Sequence, residues 1–162
     1  MATPIEIKPS NDLELAIARL VDAPRSAIWR CWTEPELLKP WFCPKPWYVS
    51  HAEMDVRAGG NSVIQMRGPN GEQHDNPGVY LEAVRNERLV FTDAFTRAWE
   101  PAAKPFMVGI ITLEDAGPGK TKYIARARHW TPEAVKQHME MGFYEGWGVA
   151  TDQLEAFART LK

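Results

Sequence analysis

The sequence predicts an α+β fold, a meander of strands followed by a long C-terminal helix, and three observations predict it. Apolar and polar residues alternate from Leu13 to Val21 and in several stretches between Trp47 and His129, the period of half-buried strands. Turns bearing glycine, asparagine and proline separate those stretches at hairpin spacing. From Thr131 the period changes, and Val135, Met139, Phe143, Ala150, Leu154, Phe157 and Leu161 fall on one stripe at about 100° per residue. The element order is strand, two short helices, a six-strand meander, helix.

Residues 1–12 are polar and carry prolines, so they read as a loose N-terminal arm, with residues 13–162 forming a single domain. The first strand, Leu13 to Val21, has Leu13, Leu15, Ile17 and Val21 on one side, interrupted by Arg19. Asp22-Ala23-Pro24 closes it, and a proline at a helix start costs nothing because its missing N–H has no partner there. A short helix follows from Ser26 to Thr33, and Pro35 admits a second from Glu36 to Trp41, which Pro44 and Pro46 stop.

Trp47 to Arg57 and Asn61 to Arg67 are two strands joined by Ala58-Gly59-Gly60, whose glycines supply the positive φ of a tight turn. Gly68-Pro69-Asn70-Gly71 is a clearer turn still. Strands at Val79 to Val84, Arg88 to Phe95, Phe106 to Leu113 and Thr121 to His129 complete the set, with a looser segment from Thr96 to Lys104. In the terminal helix, Thr131 caps, Pro132 opens and Glu133 complements the helix dipole. Gly142, Gly146 and Gly148 interrupt it, and each costs about 0.8–1 kcal/mol relative to alanine. Either the helix packs unusually close to the sheet there, or space beneath it is kept open.

Composition narrows the function. With 162 residues there is room for one domain with a real core. A net charge of −2 argues against nucleic acid or an anionic membrane as the main partner. No apolar run approaches transmembrane length, no basic-then-apolar leader opens the chain, and the two cysteines, Cys31 and Cys43, form no framework. A cytoplasmic protein with reduced thiols is the expectation, as monomer or homodimer. Seven tryptophans are a surplus, and such rings need a large core or a cavity to line.

The ordered pieces resemble a known family. Asp22-Ala23-Pro24, Trp32-Thr33-Glu34-Pro35-Glu36-Leu37-Leu38, Trp41, Asp55-x-Arg57-x-Gly59-Gly60, Gly78-x-Tyr80-x-Glu82, Arg88 to Asp93, Met141-Gly142-Phe143-x-x-Gly146-Trp147 and Asp152-Gln153-Leu154 together resemble the START-like (SRPBCC) superfamily. They resemble in particular its branch named for the activator of a heat-shock ATPase. The resemblance runs from about residue 13 to 161 and implies a helix-grip fold, a sheet wrapped around the last helix with a cavity between them. One departure stands out: Trp41-Phe42-Cys43-Pro44 replaces the Trp-Trp-Gly-Pro of many relatives, and cysteine lacks glycine's backbone freedom.

One inward register of the sheet gives Met54, Val56, Ile64, Met66, Tyr80, Phe91, Phe95, Phe106, Val108, Ile110, Tyr123, Ala125 and Ala127. From that register Met54, Met66, Tyr80, Phe91, Phe95, Phe106, Val108 and Tyr123 are candidate ligand contacts. From the helical stripe come Met139 and Phe143, with Gln153 at its edge, and Trp147 on the same helix is a further candidate cavity element. The segment from Trp41 and Phe42 to Trp47 reads as a lid, Trp99 as a second mouth element, and Trp29 and Trp32 as anchors of the helix pair.

His129 shares the register of Tyr123 and is either a polar ligand contact or a strand-end histidine bonded to the next turn. Asp93 lies in register with Phe91 and Phe95, where an inward carboxylate would serve as a base. Asp55 and Arg57 are either an acid/base pair or a surface ion pair. His51, His74, His129 and His138 show no metal spacing, and no cofactor signature is present.

Three functions follow. The leading one is a binding protein for an apolar or aromatic small molecule. The second is a cyclase- or hydratase-type enzyme on a polyketide-like substrate, with Asp93, His129 and Tyr123 as catalytic candidates. The third, implied by the branch name, is a heat-shock ATPase activator module, weakened because no second chaperone-binding domain is visible.

Overall fold

The computed structural model describes residues 1–161. The chain runs β1 (Thr3–Ile5), β2 (Glu14–Val21), α1 (Arg25–Thr33), α2 (Pro35–Leu38), β3 (Tyr48–Met54), β4 (Asn61–Arg67), β5 (Gln73–Val84), β6 (Arg88–Thr92), β7 (Phe95–Arg97), β8 (Glu100–Pro101), β9 (Val108–Asp115), β10 (Thr121–Arg128), α3 (Pro132–Glu140) and α4 (Phe143–Ala158). Eight strands form one antiparallel sheet in the order β1-β2-β10-β9-β6-β5-β4-β3. Register shifts between Val49 and His51 and between Tyr80 and Glu82 add an unpaired residue each, which bends a strand and helps the sheet curl. α4 packs on β2 and α1 across the concave face, so this is the helix-grip architecture.

The inner face carries Leu15, Ile17, Tyr80, Leu89, Ile111, Leu113, Tyr123, Ala125 and Ala127, which meet Ile28, Trp32, Trp41, Phe143 and Leu154 from the helical side in one core. Trp32 locks α1 to the sheet by donating from Nε1 to the Tyr123 hydroxyl at 3.2 Å. Glu14, only 2% exposed on β2, accepts from Arg126 Nη1 (2.7 Å), Arg128 Nε (2.9 Å) and the Ser10 amide (2.7 Å). Burial alone would raise its pKa, but the bonds from Arg128, Ser10 and Arg126 outweigh that and hold the carboxyl below its usual value.

Five expectations are corrected. The N-terminal arm is not loose throughout: β1 pairs with β2, and the Ala2 amide donates to Asp152 Oδ1 at 2.9 Å. The segment from Thr96 to Lys104 contains β8, and Phe95 leaves the main sheet to start β7, which pairs with β8. β5 begins at Gln73, six residues earlier than the expected start at Val79, because its N-terminal half pairs with β4 although it is solvent-exposed and shows little apolar alternation.

The fourth concerns the terminal helix, which is two. Gly142 adopts φ +93°, a left-handed conformation open to glycine and strained for other residues, and α4 restarts there in a new phase. Met139, expected on the buried stripe, is therefore exposed, and the inward positions of α3 are Val135 and His138.

The register of β9 also differs. Cα partners across a sheet share a face, and β9 pairs Gly109 with Ala127 and Phe91, and Ile111 with Ala125 and Leu89. Val108 and Ile110 thus face outward. The cause is Gly109: a Cβ there would come within 2.4 Å of the Phe91 ring, so the residue under that ring has to be glycine.

Candidate functional site

Between α4 and the sheet the helix does not fill the concave face. A cavity of about 490 Å³ lies there, within the range of small-molecule sites. Its wall is built from four sources. α1 and the loop after α2 supply Trp32, Trp41, Phe42 and Pro44; β4 and β5 supply Ser62, Ile64, Met66, His74, Asn76, Pro77 and Gly78. Phe91, Thr92, Asp93, Phe106, Met107 and Tyr123 come from the middle of the sheet and the approach to β9. His138, Met141, Gly142, Phe143, Gly146, Trp147, Ala150 and Thr151 close it from the helical side. Met141, 66% exposed at the α3–α4 corner, stands at the rim.

The aromatic lining falls into two packed groups. Trp32 packs edge-on against Trp41 (centroids 5.0 Å apart) and Phe42 (5.7 Å) and lies beside Phe91 (5.7 Å). Phe143 and Trp147 sit 4.8 Å apart one helical turn along. Trp41 is 2% exposed, and its Nε1 donates to the Cys31 carbonyl at 3.2 Å.

Gln153 fixes the loop that follows α2. Its Nε2 donates to the carbonyls of Trp41 (2.9 Å) and Cys43 (2.7 Å), while its Oε1 accepts from the Lys45 amide (3.2 Å). Gln153 is thus a clamp on the cavity wall rather than part of its lining. Cys43 sits in that loop without a left-handed backbone, since Asn86 alone among the described non-glycine residues has a positive φ. Burial pushes the thiol of Cys31 up to about 12 and that of Cys43 up to about 11, so neither is a thiolate nucleophile near neutrality.

Of the sixteen candidate ligand contacts, Trp41, Phe42, Met66, Phe91, Phe106, Tyr123, Phe143 and Trp147 come together around this space. The others lie elsewhere. Met54 packs at the end of β3, and Tyr80 is core, with burial pushing its hydroxyl up to about 12 despite the neighbouring Ser62. Phe95 meets Trp99 edge-on at 5.5 Å; Trp99 is 60% exposed and its ring lies over Gly59, 3.2 Å from where a Cβ would stand. Trp99 was expected at the mouth, but the β7–β8 hairpin carries it to the β3–β4 turn. Val108 borders a shallow depression with Arg128, His129 and Trp130, as the shifted β9 register requires. Met139 faces solvent.

The three catalytic candidates are held by bonds within the fold. Asp93 Oδ1 accepts the amides of Phe106 (2.8 Å) and Met107 (3.1 Å), which pins the chain entering β9 against the cavity. The Tyr123 hydroxyl is the acceptor for Trp32, and burial raises its pKa well above the usual value. His129 places Nδ1 2.7 Å from the Phe106 carbonyl and Nε2 2.9 Å from His138 Nδ1. Asp55 and Arg57 form an exposed ion pair of 2.8 Å beside the β3–β4 turn. Among the described residues, no group of three or more His, Cys, Asp or Glu side chains is placed to hold a metal ion.

The residue that sequence reasoning missed is His138. It is 7% exposed and stands edge-on to Phe106 (4.9 Å), Phe143 (5.1 Å) and Trp147 (6.2 Å). Burial, then the neighbouring His129, pull its pKa down to about 4. A signal was present: His138 lies three residues after Val135, on the same face of a helix capped by Thr131.

The depressed pKa has a stability consequence. The unfolded chain binds this proton near pH 6.5 and the folded chain only near pH 4, so stability is complete above 6.5 and falls between those values. Denaturant unfolding at pH 7 and pH 4.5 should show a loss of about 2 kcal/mol from this residue. His138→Phe should lack that part of the slope.

The sequence matches the family model for "Activator of Hsp90 ATPase homolog 1-like protein" over residues 22–159. Among solved structures, the protein NE0264 from Nitrosomonas europaea is 40% identical, covering 93% of this chain and 97% of that one with a TM-score of 0.89. Protein CV1439 from Chromobacterium violaceum is 27% identical over 91% of this chain and 98% of that one, with a TM-score of 0.71. Protein Ms6760 from Mycobacterium smegmatis shares the fold at 23% identity, 97% and 98% coverage and a TM-score of 0.79. Among curated proteins the sequence finds no match. No helix among the described residues is long and apolar enough to cross a membrane. With the fold, the cavity and the matched span in agreement, the chain belongs to the family of activator of Hsp90 ATPase homolog 1-like proteins within the START-like superfamily.

Proposed function

We propose that this protein binds an apolar or aromatic small molecule non-covalently in the cavity between α4 and the sheet. The observation that carries the reading is the cavity itself, about 490 Å³ in volume and walled by Trp32, Phe42, Phe91, Phe143, Trp147 and Met66. A guest hiding about 200 Å² of apolar surface there gains about 5 kcal/mol before the costs of association. Methionines at the wall and rim, Met66, Met107 and Met141, suit guests of varied outline because their side chains are flexible and polarizable.

Binding without turnover is favoured over a cyclase or hydratase by the bonds that occupy the catalytic candidates. Both His129 nitrogens are engaged, Asp93 Oδ1 serves two backbone amides, and a raised pKa makes Tyr123 a poor proton donor. Native mass spectrometry of the protein purified from its own host tests the reading. The expected result is a retained small molecule that leaves on denaturation. Protein that carries nothing, and that also fails to bind added naphthalene or 2-naphthol, would overturn it.

A further inference from the structure

We propose that His138 Nε2 is the specificity acceptor of the cavity, selecting guests that carry a hydroxyl or N–H donor on an apolar body. The inference rests on the binding reading above and adds to it the chemistry of the guest's polar group.

The proton positions along the histidine pair follow one from another. The carbonyl oxygen of Phe106 can only accept, so His129 Nδ1, 2.7 Å away, carries its proton and donates it. In a neutral ring Nε2 of His129 is then an acceptor. His138 Nδ1 lies 2.9 Å from it, so Nδ1 carries the proton of the second ring. That leaves His138 Nε2 with a lone pair. This nitrogen has no hydrogen bond within the described residues, yet no fully buried side-chain nitrogen or oxygen among them lacks a partner. Nε2 therefore retains open space beside it, and the space that His138 borders is the cavity.

Three other polar groups around the cavity are spent inside the fold, while His74, which also lines it, is solvent-exposed and stacked on Trp47. Thr151 Oγ1 donates to the Trp147 carbonyl (2.7 Å), Thr92 Oγ1 to the Met107 carbonyl (2.9 Å), and Asn76 Nδ2 to the Ile64 carbonyl (2.9 Å). A donor facing His138 would find a lone pair surrounded by Phe106, Phe143 and Trp147, where water competes poorly and an unmatched polar atom is costly. A ring held neutral near pH 7 by burial keeps that lone pair available. The His129–His138 bond also fixes the ring's orientation, so the acceptor is preorganised.

The test uses three probes that share one apolar body: 2-naphthol, 2-methoxynaphthalene and naphthalene, titrated calorimetrically at pH 7. The expected result is that 2-naphthol binds about tenfold or more tightly than either of the others, and that His138→Phe removes the preference while naphthalene still binds. Because that variant strips His129 of a partner, a second measurement stands beside it in the wild type. Nitrogen-15 NMR of the histidine rings should show His138 protonated at Nδ1 and bare at Nε2, with Nε2 shifting on addition of 2-naphthol. Equal affinity for all three probes, or a proton found on Nε2, overturns the assignment while leaving apolar binding intact. Failure of all three to bind defeats the binding reading itself.

Discussion

Gly146→Trp is expected to abolish binding of 2-naphthol, by about a hundredfold or more, while the protein stays folded. Gly146 lies on the cavity side of α4, and a Cβ built there meets nothing within 4 Å. A large side chain at that position therefore enters the space a guest needs instead of colliding with the core. A hundredfold loss corresponds to about 2.8 kcal/mol. Gly146→Ala separates blocking from unfolding: it fills almost nothing and removes a helix-interior glycine, so it should add about 0.8–1 kcal/mol of stability. That gain raises the melting temperature by about 2–4 °C in a chain of this size. Calorimetric titration and thermal melts of the two variants check both effects. An alanine variant that loses binding as completely as the tryptophan one would contradict the account.

Trp41→Ala should cost about 3–5 kcal/mol of stability, the range for removing a buried tryptophan. The ring is 2% exposed and meets Trp32 and Phe42, its Nε1 satisfies the Cys31 carbonyl, and its own carbonyl takes a bond from Gln153. Removing it frees the α1–α2 pair from the cavity wall and leaves the Cys31 carbonyl without its donor. At about 2–4 °C per kcal/mol, a melting temperature at least 6 °C lower is the outcome to look for in a thermal scan. A drop of less than 2 °C would mean that the wall does not depend on this ring.

Much of the architecture was legible because it rests on local chemistry. The alternation in Leu13 to Val21, the turns at Gly59-Gly60 and Gly68 to Gly71, and the Thr131 cap each act within a few residues, and each element forms where those signals stand. The glycines of the terminal helix were legible as a question about space. Gly146 answers it with open space, and Gly142 with a break between two helices. What was not legible depends on partners distant in sequence. The facing of β9 turns on Gly109 meeting Phe91 across the sheet, and neither residue announces the other. β5 extends back to Gln73 only because β4 is there to pair with it.

The site was legible to the same degree and for the same reason. Phe91, Phe143 and Trp147 follow from period and resemblance. Trp99 sits away from the cavity because a hairpin carries it there, and Val108 because of the β9 register. His138 escaped notice because its meaning lies in His129, nine residues earlier, which α3 brings within hydrogen-bond reach. The sequence leaves His129 two roles, and in the fold it bonds to the Phe106 carbonyl and to His138. Neither of the two histidines would be identified as a pair by spacing alone.

The measurement that bears most directly on the account is amide chemical-shift mapping of the wild-type protein as 2-naphthol is added to saturation. The account predicts that the shifts concentrate on residues around the cavity, including Met107, Gly142, Gly146 and Thr151, and leave the β7–β8 hairpin and Trp99 unmoved. Shifts confined to the surface around Trp99 or Trp130, or none at all, would contradict it.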